Sequence, residues 1–423
     1  MRDLHDDPRR VGVRLGRDAL SARIRTETVG ATFARLIASG DAETRADLAR
    51  VTGLSRTTVS TGVEFLQDRG VLRTIQNAAG QNRGRPSDSL ILNARYGVIL
   101  VADLGIASTR LSIYDLNQRT VALEFVAVDL STGPEDSVPV LLNAFTRMID
   151  AIPEHLGPPR ICVVGVPGPV DARRGEASRP PILSGWKSYD LAAAFESGLG
   201  CSVIVEKDVS LRALGEARSI DRSQSPLVYI KVASGIEAGI VTADGELYRG
   251  AHDAAGDLGH IRVVEAGDAL CTCGNTGCLA TIASTTSLVQ ARAALRGPDS
   301  DGETLDDFEA AIRAGEPDAV RLLRTAAGAI GEVTAGLVNF FNPSRIIVGG
   351  SIASVSDDIL AGVRSVVYQR SLPLATRNLT VSAPRHGHLS GAAGGLALAL
   401  ERLFCAEELT DDEHRFALQQ AQH

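Results

Sequence analysis

The sequence predicts an α/β protein in which a small winged helix-turn-helix precedes a larger two-lobed body. Three observations predict it: short helix-period segments closed by glycines before residue 70, a repeated order of paired strands, helix and buried strand after residue 95, and a charge division between the two parts. Residues 1–95 carry 16 Arg and 11 Asp+Glu, a net +5, whereas residues 96–423 carry 27 Lys+Arg and 40 Asp+Glu, a net −13. The overall charge of −8 therefore conceals a basic module on an acidic body. With 423 residues, 44% hydrophobic and 22% charged, the chain is long enough for two or three domains, and its proportions exclude collagen, coiled coil and wholesale disorder. Met1 to Arg17 is crowded with Arg and Asp and has no apolar core for a signal peptide, and no later run approaches the roughly 20 apolar residues of a membrane helix. The expected location is the cytoplasm, with no membrane partner.

Residues 1–27 have no clear period and are expected as a flexible, partly basic arm. In the first helix Val29, Phe33, Leu36 and Ile37 fall at helical spacing and Gly40 is placed to end it. Thr44 with Asp47 three residues on forms a capping-box pattern for a second helix, which carries Leu48 and Ala49 inward and stops near Gly53. Ser55 can cap a third helix that turns Val59, Val63 and Leu66 to one side and Arg56, Thr57, Thr58, Ser60, Thr61 and Glu64 elsewhere. Short polar and Arg side chains on the first turns of such a helix suit base edges in the major groove. After Gly70, Val71 to Ile75 and Leu90 to Leu92 read as two strands around a polar tip. Arg83 and Arg85 in that tip suit a wing that enters a minor groove or holds phosphate. Residues 28–95 thus form the candidate double-stranded DNA reader, and the alternative is a three-helix protein-interaction module with a solvated Arg face.

In the body, Tyr96 to Asp103, Thr109 to Leu116 and Thr120 to Leu130 read as consecutive strands. A helix striped by Val138, Leu141, Leu142, Phe145, Met148 and Ile149 follows, then a buried strand, Ile161 to Val166. The opening is repeated by Leu227 to Ala233, Ala238 to Ala243 and Glu246 to Arg249, followed by Ala319 to Phe341, Arg345 to Val348 and Ile359 to Gln369. Two similar halves imply duplication with a cleft between them. Cys162, Cys201 and Cys405 are isolated, but Cys271, Cys273 and Cys278 crowd into eight positions, which in a cytoplasmic chain reads as metal before disulfide. Only Lys187, Lys207 and Lys231 among the 43 basic residues are Lys, a bias to which the sequence assigns no mechanistic weight.

Val101-Ala-Asp-Leu-Gly, Gly165-Val-Pro-Gly-Pro-Val-Asp171, Val205-Glu-Lys-Asp208, Gly256-Asp-Leu-Gly-His-Ile261, Cys271-Thr-Cys-Gly-Asn-Thr-Gly-Cys278 and Asn342-Pro-Ser-Arg-Ile-Ile-Val-Gly-Gly350 occur in the order seen in the ROK family (repressor, open reading frame, kinase). The chain resembles this family over about residues 28–404, counting the winged helix that its repressors carry and its sugar kinases lack. The resemblance implies an actin-like, ribonuclease-H-like pair of lobes over residues 96–405, with sugar bound between them, and leaves 406–423 as a tail. Three thiolates and an imidazole in closed tetrahedral geometry suit zinc. The family pattern assigns structural zinc to His260, Cys271, Cys273 and Cys278. The alternative is three buried thiols beside a satisfied histidine.

Departures from the kinase pattern imply that the chain is no enzyme. The family's Asp-x-Gly-Gly-Thr is here Asp103-Leu-Gly105-Ile106-Ala107, so Ile106 replaces a glycine and Ala107 removes a hydroxyl. Its Gly-Thr-Gly-x-Gly-x-Gly is here Ala233 to Gly239, with Glu237 where phosphate charge is received. Two like charges about 4 Å apart at an effective dielectric near 20 repel by roughly 4 kcal/mol, nearly a thousandfold in affinity. Asp208 matches the kinase base and without a phosphoryl donor is vestigial. Lys207, Asp208, Asp257 and His260 stand at the family's sugar-binding positions, with Ala280 where an acid is expected. Lys207 either favours a phosphorylated or acidic sugar, pairs with Asp208 and closes the pocket, or points to solvent.

The resulting expectation is a transcriptional regulator, most simply a repressor, that binds operator DNA and a sugar or sugar-phosphate effector as a homodimer or homotetramer. Ligand-driven lobe closure would alter the spacing of two DNA readers. An active sugar kinase with a DNA-binding head and a scaffold with a dead cleft are the alternatives.

Overall fold

The computed structural model describes residues 10–16, 25–76, 88–106, 109–168, 170–171, 176–177, 185–187, 189–220, 225–297 and 302–410. The head comprises α1 (Thr26–Ser39), α2 (Arg45–Thr52), α3 (Arg56–Asp68), β1 (Leu72–Gln76) and β2 (Asp88–Leu92). Its boundaries follow from the caps. The Gly40 amide donates to Leu36 and Ile37 in a left-handed turn, Thr44 and Asp47 form the capping box, and Ser55 accepts from the Thr58 amide. Val29, Phe33, Leu36, Leu48, Val59, Val63 and Leu66 make the buried centre, and β1 and β2 pair antiparallel with Leu72 opposite Leu92. Arg83 and Arg85 lie outside the described residues.

The chain continues through β3 (Val98–Leu104), β4 (Thr109–Asp115), β5 (Thr120–Val126), α4 (Pro134–Asp150), β6 (Pro159–Val166), β7 (Val170–Asp171), β8 (Glu176–Ala177), α5 (Leu191–Leu199) and β9 (Ser202–Lys207). Then come α6 (Asp208–Arg218), β10 (Leu227–Val232), β11 (Ile236–Val241), α7 (Ala280–Ala283), α8 (Thr285–Arg296), α9 (Leu305–Ala314) and α10 (Pro317–Phe341). It closes with β12 (Arg345–Gly349), α11 (Ser351–Val355), α12 (Asp358–Arg370), α13 (Pro373–Thr376), β13 (Thr380–Ser382) and α14 (Ser390–Leu403). Two compact units result: Met1–Ser178, Leu183–Glu206 and Gly395–His423 form one, Arg179–Ile182 and Lys207–Gly394 the other. The helices and strands of the head fall in the same compact unit as the first half of the body.

In the first unit a five-stranded sheet runs β5-β4-β3-β6-β9, with β3 antiparallel to β4 and parallel to β6. Every residue of β3 is buried, as expected of a central strand packed on both faces. Against it lie Leu141, Phe145, Met148, Phe195 and Trp186, whose indole donates to the Leu130 carbonyl at 2.8 Å. In the second unit a four-stranded sheet runs β11-β10-β12-β13, and its core is filled largely by the apolar faces of α8, α9, α10 and α12. Both units thus open on an antiparallel hairpin continued by a parallel strand, as the duplication implied. One expected strand is absent: Glu246 to Arg249 touches β11 only through a Val241–Leu247 bridge and the Tyr248 amide to Ile240.

Residues 10–16, expected within the flexible arm, are packed. Gln118, fully buried in the β4–β5 turn at φ 66°, accepts from the Val13 amide at 2.7 Å and donates to the Val13 and Ala38 carbonyls, each at 2.8 Å. The Leu15 amide donates to Ser39 and the Gly16 amide to Glu401. A buried amide side chain satisfies backbone groups here that burial would otherwise leave orphaned.

Candidate metal centre and effector site

The metal candidates come together as the sequence required. One ligand atom from each of His260, Cys271, Cys273 and Cys278 lies within 4.8 Å of the others. The thiols project from a turn shaped by Gly274 (φ 92°) and Gly277 (φ 73°), and His260 comes from a short helical turn beside it. Cys271 Sγ is 3.4 Å from His260 Nδ1 and Cys273 Sγ is 3.8 Å from Cys278 Sγ. Tetrahedral zinc with bonds near 2.3 Å to sulfur has sulfur–sulfur edges of about 3.8 Å. The donor set and spacing therefore fit that ion. Desolvation, followed by the neighbouring sulfurs, pushes the Cys278 thiol up to about 12. Among these residues only a bound cation makes several thiolates stable together. His260 Nε2 faces Asp257 Oδ1 at 4.0 Å, a carboxylate suitably placed behind a ligating imidazole.

A second cluster gathers around Asp208, the first residue of α6. Its carboxylate is 2% exposed and pairs with Lys231 Nζ at 2.7 Å and Arg212 Nε at 3.6 Å. Lys231 also faces Glu237 at 3.7 Å. Lys231 and Glu237 are directly opposite in the β10–β11 register, flanking the turn Ala233 to Gly235. Burial alone disfavours the Lys231 ammonium, but Asp208 and Glu237 outweigh it and raise its pKa. Desolvation raises Glu237, against the pull of Lys231 and with the help of Asp208 and Asp257. Among the described residues Asp208 Oδ1 is buried without a hydrogen-bond partner, an acceptor suited to a polyol hydroxyl.

Lys207 does not pair with Asp208: its Nζ donates to the Ala255 carbonyl at 3.3 Å, and it is half-buried instead of pointing freely to solvent. The pairing cation is Lys231, which sequence reasoning dismissed as part of a coding bias. A hairpin centred on Ser234 places Lys231 opposite Glu237, so the signal was available in the strand spacing. Asp208, Lys207 and Asp257 do share one electrostatic neighbourhood through Glu237.

In the first unit, Asp103 is 4% exposed and pairs with Arg110 at 3.4 Å. Ile106 accepts the Leu130 amide through its carbonyl, and Ala107 lies outside the described residues. Gly350, at φ 118°, passes so close to Val232 that a Cβ would stand 1.9 Å from its carbonyl oxygen. Packing against β10 accounts for that glycine without a phosphate. On α3, Arg56, Thr57 and Thr61 are exposed, whereas Thr58 and Ser60 are half-buried and Thr58 Oγ1 is 2.9 Å from the capping Ser55.

Residues 99–402 match the ROK family. The chain is 24% identical to the DNA-binding transcriptional repressor Mlc of Escherichia coli (strain K12), covering 90% of this chain and 95% of that protein. Among solved structures, a ROK family transcriptional regulator described as a homolog of E. coli Mlc aligns with TM-score 0.75 and 24% identity over 92% of this chain and 98% of that one. A ROK family glucokinase from Streptomyces griseus, in complex with glucose and AMPPNP, aligns with TM-score 0.60 and 27% identity over 71% of this chain and 99% of that one.

Proposed function

The chain belongs to the ROK family, and we propose that within it this protein is a sugar-responsive transcriptional regulator of the repressor type, without kinase activity. The observation that carries this reading is the head: a capped helix-turn-helix with Arg56, Thr57 and Thr61 exposed on its third helix, joined to a ROK body. The similarity to Mlc extends over 90% of the chain, whereas the glucokinase aligns with only 71%. Thr58 and Ser60 complete the reading face, Arg83 and Arg85 add wing contacts to phosphate or minor groove, and a homodimer or homotetramer presents paired readers to a palindromic operator. The protein works in the cytoplasm.

The effector is a sugar or sugar derivative held by Lys207, Asp208, Asp257 and His260, with Asp208 Oδ1 as the waiting acceptor. Zinc held by His260, Cys271, Cys273 and Cys278 braces that region and orients the imidazole; its role is structural. Phosphoryl transfer is disfavoured because each carboxylate it would need already has a cation from its own unit, Asp103 from Arg110 and Asp208 from Lys231. Lys231 engages Oδ2 of Asp208, and Oδ1 remains to receive a hydroxyl of the effector.

The test pairs two measurements. A duplex selected from a random DNA pool is expected to bind the full chain with an affinity that changes on adding one member of a panel of neutral sugars and sugar phosphates. Coupled ADP release with the same panel is expected to stay at background, and sustained turnover would overturn the non-enzyme reading.

A further inference from the structure

Residues 10–16, the head, the β4–β5 turn and residues 395–410 all belong to one compact unit. Within it the head and the body cap each other's helices. The last carbonyls of a helix have no intrahelical donor. In the last turn of α1, the Ala38 carbonyl receives two side chains from outside the head, Gln118 Nε2 at 2.8 Å and Arg10 Nη2 at 2.9 Å. At the end of α14, the carbonyls of Glu401 and Phe404 receive a side chain from the head. Arg35, 8% exposed on α1, donates through Nη2 to Glu401 O at 2.7 Å and through Nε to Phe404 O at 3.0 Å. Each helix end is completed by a side chain of the other part.

Residues 10–16 run between the two parts. A bridge from Arg10 to Arg119 and the Val11 amide on the Gln118 carbonyl fix them to the β4–β5 turn. Their other end meets Arg35, whose Nη1 donates to Gly16 O at 3.2 Å. A third tie starts at the end of the reader helix. Arg69, the residue after α3, donates through Nε at 2.7 Å to the carbonyl of buried Leu409. Helices α1 and α3 leave no room for a side chain between them. A Cβ on Gly62 of α3 would stand 2.7 Å from the Phe33 ring, and one on Gly30 of α1 2.7 Å from that of Phe65. An apolar contact lets two parts slide, whereas directional hydrogen bonds and the planar fork of Arg35 set an angle, which a single ammonium cannot do.

We propose that Gln118, Arg35 and Arg69 are positioning residues for DNA reading, which lock α3 at one angle to the first half of the body. The proposal rests on the reading of the chain as a regulator with paired DNA readers. Heads swinging on a linker accept two half-sites at many separations; locked heads accept one.

Two measurements on the full chain test it. In the first, the half-site found in the selected duplex is placed twice in each member of a library, at separations from zero to about 20 base pairs, two turns of the duplex. The unmodified chain is expected to retain a single separation. Arg35→Lys and Gln118→Ala are each expected to lower its enrichment over the others about fivefold, the equivalent of one lost hydrogen bond, with affinity for a duplex carrying one half-site unchanged. Variants as selective as the unmodified chain would overturn the lock, as would an unmodified chain indifferent to separation. In the second, amide relaxation by NMR compares the tumbling of head residues 26–68 with that of strand residues 98–104. Equal correlation times are expected in the unmodified chain, and a shorter one for the head when Arg35→Lys and Gln118→Ala are combined. A head that tumbles faster in the unmodified chain, or no change in the double variant, would overturn the proposal. If the full chain selects no duplex, the DNA-binding reading fails, and relaxation still decides the lock.

Discussion

The two polar clusters of the second unit differ in where their positive charge comes from. His260, Cys271, Cys273 and Cys278 gather three thiols and an imidazole with no protein cation among them, and burial and mutual repulsion hold Cys278 in its neutral form. Asp208, Glu237 and Asp257 gather three carboxylates, but Lys231, Arg212 and Lys207 are built in beside them. An uncompensated donor set of this kind suits completion from outside, by a divalent cation. A compensated one is already balanced, so it needs neither a metal nor a phosphate to settle its charge. The same unit thus holds one donor set with the geometry of a zinc site and one whose carboxylates are met by the protein's own cations.

The largest effect expected from that contrast is on the first cluster. Chelation, or Cys278→Ser, should take zinc content from equimolar to background and lower the melting temperature on the order of 5 °C or more. Retention of the melting temperature with the metal gone would break the contrast. Next, Lys231→Met leaves Asp208 and Glu237 facing each other and should cost about 3–5 kcal/mol in urea unfolding, part of which Asp208→Asn restores. Zinc content should not change in that variant.

The folded pKa of Lys231 is raised above its ordinary 10.5, so its stabilisation is complete below that pH and fades as pH rises through the folded value. The stability gap between the unmodified chain and Lys231→Met should be constant up to about pH 10.5 and then narrow by roughly 1.4 kcal/mol per pH unit. The smallest effect is expected at Asp257, which faces His260 at 4.0 Å and lies in the electrostatic reach of Glu237. Asp257→Asn should weaken zinc retention about tenfold in competition with a chelator, with the urea midpoint unmoved.

Local signals were readable from the chain and long-range pairings were not. Gly40, Thr44 with Asp47, Gly53 and Ser55 punctuate the head because capping is decided within four residues. The cysteine turn was readable for the same reason, its three thiols lying within eight positions. Arg212 was within reach as the i+4 neighbour of Asp208 on one helix. Lys231 required the register of a hairpin, which spacing permits but does not announce. Gln118 against Val13, and Arg35 against Glu401, span 105 and 366 residues, and no periodicity encodes such a partner. Asp244-Gly245 turns Glu246 to Arg249 back onto β11, yet the antiparallel pairing does not extend past the Val241–Leu247 bridge into a strand.

The interleaving of the chain has a consequence for biosynthesis. Arg35 is translated near the start, but the Glu401 and Phe404 carbonyls that receive it emerge from the ribosome more than 360 residues later. During synthesis the head can form its own helices while its seat does not yet exist. The buried guanidinium stays hydrated until the end of the chain arrives, so seating of α1 is among the last steps of maturation, and a nascent protein cannot hold its head in the final pose before translation is nearly finished.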